Sequence, residues 1–540
     1  MTVSATPRQR WFVFGAALVG AAVAAGFGAA ALRFVLDAAT EILLGSVIHL
    51  EPVDDGLWHA PAGPLPNRSA LLLPLLVAAG MFAATTLSRL GGPTVNGTDG
   101  VINAVNTREL SGLTARGAAA KLAGTAVTLG SGGSGGTEGP VVQVTASLGA
   151  AITRRLGLSR AQARVVVVAA LSAGVGALFQ VPIAGGVLGA ELLRRRGGDW
   201  RLIGYTVPTA LLGFGVFIGL YGYHPMFGVA DLGALWDPVA AAVLALIGLG
   251  CAVLARLYVW TFHRVGRLLE PARKRPGITA AAAGAAVGTV GIFVPMALGT
   301  GYGVATLGLS PSSVAALPLW LLAVLPLVKI GATAVTLHAG GVGGVFGPAM
   351  VIGATAGALG WRLAVEAGVQ PGPVAACTLA GLAACLGAAV RAPLAAIVFA
   401  GEVAGYLLPP PGLVVAVVIA TVFTGGITVF PSQESDRTTR RSPQLVVSVM
   451  LKTVVSRKRT GTSRTAVGFQ PRRRNLSDSS GEGCPMEPEA THGLPDLTDL
   501  PLEDLLGDSR PEVSRALHTA LRRRAAVGIV FAGHSSGGAA

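Results

Sequence analysis

Charged side chains are scarce in this chain. Asp, Glu, Lys and Arg make up 13% of its 540 residues, against about 25% in a soluble globular protein. Aromatic residues are also few, at 6%. The 52% hydrophobic share therefore comes mainly from Ala, Val and Leu, and the 76 glycines are about twice the usual share. There are four cysteines, Cys251, Cys377, Cys385 and Cys484, and none forms a CxxC pair. That excludes a disulfide framework and a thiolate metal site. The eight histidines are scattered and build neither a metal-ligand set nor a Ser/His/Asp constellation. The glycine-rich runs lack the Lys-Ser/Thr ending of a phosphate-binding loop. The composition thus points away from an enzyme and calls for no cofactor or metal. It fits an all-α polytopic membrane protein, since lipid tolerates so much apolar surface with so little charge.

The net charge of +14 would suit nucleic acid, but its distribution does not. The basic residues of the hydrophobic body stand in short clusters between apolar runs. Arg194, Arg195, Arg196 and Arg201 form one cluster, and Arg264, Arg267, Arg273, Lys274 and Arg275 form another. This is the pattern of cytoplasmic loops, so the expected surroundings are a lipid bilayer with no nucleic acid. Residues 1–10, with Arg8 and Arg10, read as a cytosolic N-terminus ahead of a first membrane helix starting at Trp11. The loop with Glu51, Asp54 and Asp55, and the loop 224–237, are expected outside. Long apolar segments near 69–90, 202–223, 238–262, 276–298 and 315–337 read as further crossings. The membrane body is 11–430, in halves of roughly 11–223 and 238–430. From 437 to 540 the composition turns basic, then polar. That tail reads as a mostly disordered extension keeping the C-terminus in the cytoplasm.

Other apolar segments are short and interrupted by Gly or Pro: 117–130, 141–153, 163–178, 182–193, 349–364, 374–389 and 394–407. They are expected to fall short of complete crossings. Broken helices survive at membrane depth only when buried in protein or lining a watery cavity, so an internal site is expected. The stretch KLAGTAVTLGSGGSGGTEGP, Lys121 to Pro140, recurs as KIGATAVTLHAGGVGGVFGP, Lys329 to Pro348. Twelve of twenty positions are identical. Downstream, Gly176, Pro182 and Glu191 repeat as Gly387, Pro393 and Glu402 with unchanged spacing. A duplicated membrane protein with broken helices in matching places is the pattern of transporters built from two repeats. Gly139-Pro140 and Gly347-Pro348 each mark a helix start, whose unpaired N–H groups and positive dipole end favour an anion. Two such ends meeting at one point bind an anion without the grip of a full positive charge.

Glu138 stands inside the first motif, where the second copy has Phe346. An ionisable residue at membrane depth points to function. Its carboxylate would compete with an anion for the same N–H groups, and protonation or rotation would free the site. The bland alternative is a helix-capping glutamate.

GGTEGP with Glu138, GGVFGP with Phe346 and the duplicated architecture resemble the CLC family of chloride channels and chloride/proton exchangers, over roughly 11–430. The resemblance implies a homodimer of about 18 helices per subunit in two inverted repeats, each subunit with its own pore. It implies that Glu138 is the gate. It also implies that the anion, chloride or a similar ion, meets the backbone around Gly136, Thr137 and Gly139 and around Val345, Phe346 and Gly347. Glu191 and Glu402 match buried structural acids. The family's first motif, commonly GSGIP, aligns with Val95 to Asp99, putting Asn96 and Gly97 at the anion, Asn96 in place of a serine. Phe430 falls where the family has a pore tyrosine, and Thr137 where it usually has Arg or Lys. Leu192 takes the place of the exchangers' inner proton-relay glutamate, which favours channel-like passage over chloride/proton antiport. No paired CBS module is evident after the pore. A receptor or scaffold that kept the fold without transport is the remaining alternative.

Overall fold

The computed structural model describes residues 7–48, 65, 68–92, 97–193, 199–224, 232, 238–406 and 410–433. Among them the chain is helical throughout, with no strand beyond one isolated bridge. The first half holds α1 (Pro7–Thr40), the single turn α2 (Ser46–Ile48), α3 (Leu73–Leu90), α4 (Gly97–Thr107), α5 (Ala115–Gly130), α6 (Glu138–Arg155), α7 (Arg160–Leu178), α8 (Pro182–Glu191) and α9 (Ile203–Tyr221). The second holds α10 (Pro238–Leu268), α11 (Pro276–Phe293), α12 (Tyr302–Leu307), α13 (Pro311–Ala316), α14 (Leu319–His338), α15 (Phe346–Glu366), α16 (Val374–Val390), α17 (Pro393–Val403) and α18 (Pro411–Thr424). The local signals are the expected ones. Proline opens α8, α11, α17 and α18, where its missing N–H costs nothing. Ser159 and Gln162 close a capping box at α7.

Among the described residues, eight helical stretches are long and apolar enough to cross a membrane. The segments expected near 69–90, 202–223, 238–262, 276–298 and 315–337 are among them. Two segments expected to fall short are not short: Arg160–Leu178 and Phe346–Glu366 both reach crossing length. The physical reason is burial. Most of α7 lies inside the protein, so its glycines meet neighbouring helices rather than lipid, and helix continuity is kept by packing. α5, α8, α16 and α17 are indeed short.

Small residues let the helices approach closely. A Cβ on Gly353 of α15 would collide with the carbonyl of Gly381 in α16, and one on Gly357 with that of Cys377. Across the halves, a Cβ on Gly284 of α11 would lie 2.6 Å from the Val77 carbonyl of α3, and one on Gly288 2.6 Å from Pro74 Cα. Without a hydrophobic drive inside lipid, such backbone contact supplies the attraction. The glycine surplus is therefore a packing device.

The two halves grip each other reciprocally. Glu402, at the end of α17, accepts from the Ile183 and Ala184 amides at the start of α8, at 2.9 and 2.8 Å. Glu191, at the end of α8, accepts from the Leu394 and Ala395 amides at the start of α17, at 3.2 and 2.8 Å. Each acid thus caps the other half's helix, satisfying N–H groups no intrahelical partner can reach. The structural reading of Glu191 and Glu402 rests on this geometry. Glu191→Ala and Glu402→Ala should each orphan two amides and destabilise the fold by on the order of 3 kcal/mol. Thermal unfolding in detergent checks this, and a large difference between the two variants would contradict the reciprocity.

Candidate functional site

The repeated glycine turns meet at the pseudo-symmetry axis. Gly136 N–H donates to the Gly344 carbonyl at 2.8 Å, and Gly344 N–H returns a bond to the Gly136 carbonyl at 2.6 Å. These residues occupy the same position in the two repeats, and they pair antiparallel. A second reciprocal pair flanks them. Val342 N–H donates to Thr128 Oγ1 at 3.0 Å, and Ser134 N–H to Thr336 Oγ1 at 3.2 Å. Thr128 and Thr336 are the final threonines of the two TAVTL copies. The motif thus carries its own clamp, and the clamp places the starts of α6 and α15 side by side.

Glu138 opens α6 and Phe346 opens α15. Both are buried, Glu138 completely. The Glu138 carboxylate reaches into the other half. Its Oε1 accepts from the Tyr302 hydroxyl of α12, and the Gly347 amide of α15 also faces the carboxylate. Oε2 has no hydrogen-bond partner. Glycines make the seat: the three atoms nearest a Cβ on Gly136 all belong to this carboxylate, and Cβ atoms on Gly344 and Gly347 would each lie within 3 Å of one of its oxygens. An apolar cavity of about 20 Å³ opens beside it, lined by Glu138, Phe179, Leu188, Phe346, Leu386, Phe399 and neighbours. Its lining is partly repeat-related: Val175 and Leu386, and Ala184 and Ala395, are equivalent positions in the duplicated register.

The other expected site residues divide. Phe430 lies against Phe346, ring centroids 5.6 Å apart. Val345 gives its carbonyl to Tyr258 Oη of α10 at 3.1 Å. Thr137 Oγ1 lies 3.4 Å from the Tyr302 hydroxyl. Gly139 packs on the Gly344 backbone. The Gly97 amide is spent on Gln143 Oε1 at 2.8 Å, which ties the start of α4 to α6. Asn96 lies outside the described residues. Leu192 is buried, with its carbonyl accepting from Gln433 Nε2 at 3.0 Å; it offers no protonatable group. The chain past Phe430 is moored as well, Asp99 accepting from both the amide and the hydroxyl of Ser432.

Two residues at the site escape the sequence reading. Tyr302 belongs to a six-residue helix outside the matched motif. Lys329 is fully buried in α14, and its ammonium donates to the Ala297 and Gly299 carbonyls at 3.1 and 2.8 Å. The signal for Lys329 is an intramembrane cation that recurs in register with Lys121.

A family model described as voltage gated chloride channel matches residues 76–425. This chain belongs to that family. It is 30% identical over 365 residues to a protein of Ralstonia nicotianae named as ClcB-like among chloride channel proteins, covering 65% of this chain and 81% of the other. Its fold is shared with a slow cyanobacterial Cl⁻/H⁺ antiporter at TM-score 0.64 and 18% identity, over 79% of this chain and 97% of the other. It is shared equally with a CLC-type fluoride/proton antiporter at TM-score 0.63 and 18% identity, over 80% and 100%. The family is one of anion transport across membranes, and this is a multi-pass member of it.

Gly136→Ala should evict the carboxylate, because the three atoms nearest the added methyl all belong to it, Oε2 closest. A structure of the variant should show the Tyr302 hydroxyl without Glu138. An unmoved carboxylate would contradict the packing described.

Proposed function

We propose that this protein passes chloride or a similar small anion through a pore gated by Glu138. The carrying observation is the buried Glu138 carboxylate at the meeting point of two helix N-termini, facing the Gly347 amide. A negative group already fills the place that dipoles and free amides prepare for a negative ion. Gly136, Thr137, Gly139, Val345, Phe346 and Gly347 would surround the ion, with Phe430 on the flank. Asn96 and Gly97 would also bind the ion, the Gly97 amide being held by Gln143 in this structure. The passage is channel-like, since Leu192 has no proton to relay. The protein acts as a homodimer in the cell membrane, with both termini cytoplasmic.

Anion/proton antiport is the second reading. It is favoured by the apolar cavity against Glu138, where the unpaired Oε2 could take up a proton, and by the antiporter names of the structures sharing the fold. The same names put fluoride beside chloride as a candidate ion.

The test is anion and proton flux measured together in liposomes across a pH series. Protonation removes the charge that competes with the anion, so wild-type flux should rise as pH falls. Glu138→Gln lacks that charge at every pH and should give flat flux. Equal pH dependence in both, at equal insertion, would reduce Glu138 to a helix cap. Proton movement driven by a chloride gradient would select antiport.

The basic tail from 437 follows the last apolar segment, and its composition cannot build a large core. Truncation near residue 445 should leave anion flux largely intact. Lost flux with normal insertion would overturn that.

A further inference from the structure

We infer that Tyr302 is the latch of the gate: a positioning residue whose hydroxyl holds the Glu138 carboxylate in its buried seat. This inference rests on the reading of Glu138 as a gate and adds the group that keeps it shut. The hydroxyl donates to Glu138 Oε1, so a residue of the second half holds an acid of the first. Among the described residues, the titratable or charged groups facing Glu138 are Tyr302 of α12, Lys329 of α14 and Tyr258 of α10. The Tyr258 hydroxyl is committed to the Val345 carbonyl. The Lys329 ammonium is committed to Ala297 and Gly299. Tyr302 alone of the three donates to the carboxylate.

The surroundings hold the phenol in place. Lys329 fastens the turn that leads into α12. Gly301, just before Tyr302, adopts the left-handed conformation at φ 76°, which sends the chain sharply into the helix. The Tyr302 ring meets Phe179 edge-on at 6.1 Å, and the Thr137 hydroxyl lies 3.4 Å from the phenol oxygen. Thr137 offers a hydroxyl and no charge beside the gate, so the phenol is the side-chain donor that steadies the closed carboxylate.

The latch has a directional consequence. A donor to the seated carboxylate stabilises the closed state. Removing it should open the pore more readily and let protonation release the gate at higher pH. Tyr302→Phe deletes one oxygen and keeps the ring against Phe179. Its anion flux at neutral pH should rise roughly tenfold or more, and the midpoint of its flux–pH curve should move up by about one to two units, as expected for one hydrogen bond to a charged group.

The experiment compares wild type, Glu138→Gln, Tyr302→Phe and the double variant as full chains in liposomes. The expected result is a shifted but present pH dependence in Tyr302→Phe, and a double variant equal to Glu138→Gln. Thr137→Val should shift the curve the same way by less, and it carries the test if Tyr302→Phe inserts poorly. If Glu138→Gln keeps the wild-type profile, the gate reading fails and the latch with it. If Glu138→Gln is flat while Tyr302→Phe and Thr137→Val match wild type, the gate stands and the latch is wrong. If the Tyr302→Phe effect persists undiminished in the double variant, Tyr302 acts through packing and the latch is likewise wrong.

Discussion

Two hydrogen bonds between Gly136 and Gly344 join the halves of this protein, and the site depends on them. They pair one glycine with its own duplicate, so the bond pattern is symmetric by construction. That symmetry places two helix N-termini at one point. Any side chain at either position would intrude on the Glu138 carboxylate. The glycines are thus required by close approach on both sides of the bridge. The threonines of the repeated TAVTL segments add a second symmetric pair, and Glu191 with Glu402 adds a third.

Against this symmetric frame one substitution stands out. Glu138 and Phe346 share a repeat position but differ in charge. A protein built from two equal halves has two equal anion-attracting ends; placing an acid on one end only gives it a competitor for the ion. Burial makes that competitor expensive, and the cost is offset by the Tyr302 hydroxyl and the Gly347 amide. Lys329 contributes from a distance, holding the turn that carries Tyr302 rather than meeting the carboxylate itself. Among the described residues no cationic side chain hydrogen-bonds the carboxylate, which suits rapid exchange of an anion.

Much of this is legible in the sequence because duplication writes contacts twice. The identical Lys, Thr, Gly and Pro positions of 121–140 and 329–348 name the residues that meet at the axis, and the spacing of Gly176, Pro182 and Glu191 names the reciprocal caps. What duplication does not write is harder to read. Tyr302 sits in a helix of six residues, outside the repeated motif, and only the turn before it brings its hydroxyl to Glu138. The length of α7 is hidden for a different reason. A helix buried among other helices is apolar on every face, so its glycines look like breaks although the Thr145 side chain fills the space beside Gly174 and the Pro182 backbone that beside Gly176. The Gly97 amide reads as free in the motif, yet Gln143, one turn beyond Glu138 in α6, takes it.

The central claim is that the Glu138 carboxylate occupies a seat made for an anion. Bromide, located by its anomalous scattering in crystals of wild type and Glu138→Gln, tests it most directly. The account predicts a bromide peak in the variant at the vacated seat, within reach of the Gly347 amide and the Tyr302 hydroxyl, and none there in wild type at neutral pH. An empty seat in the variant, or the same peak in both proteins, would contradict it.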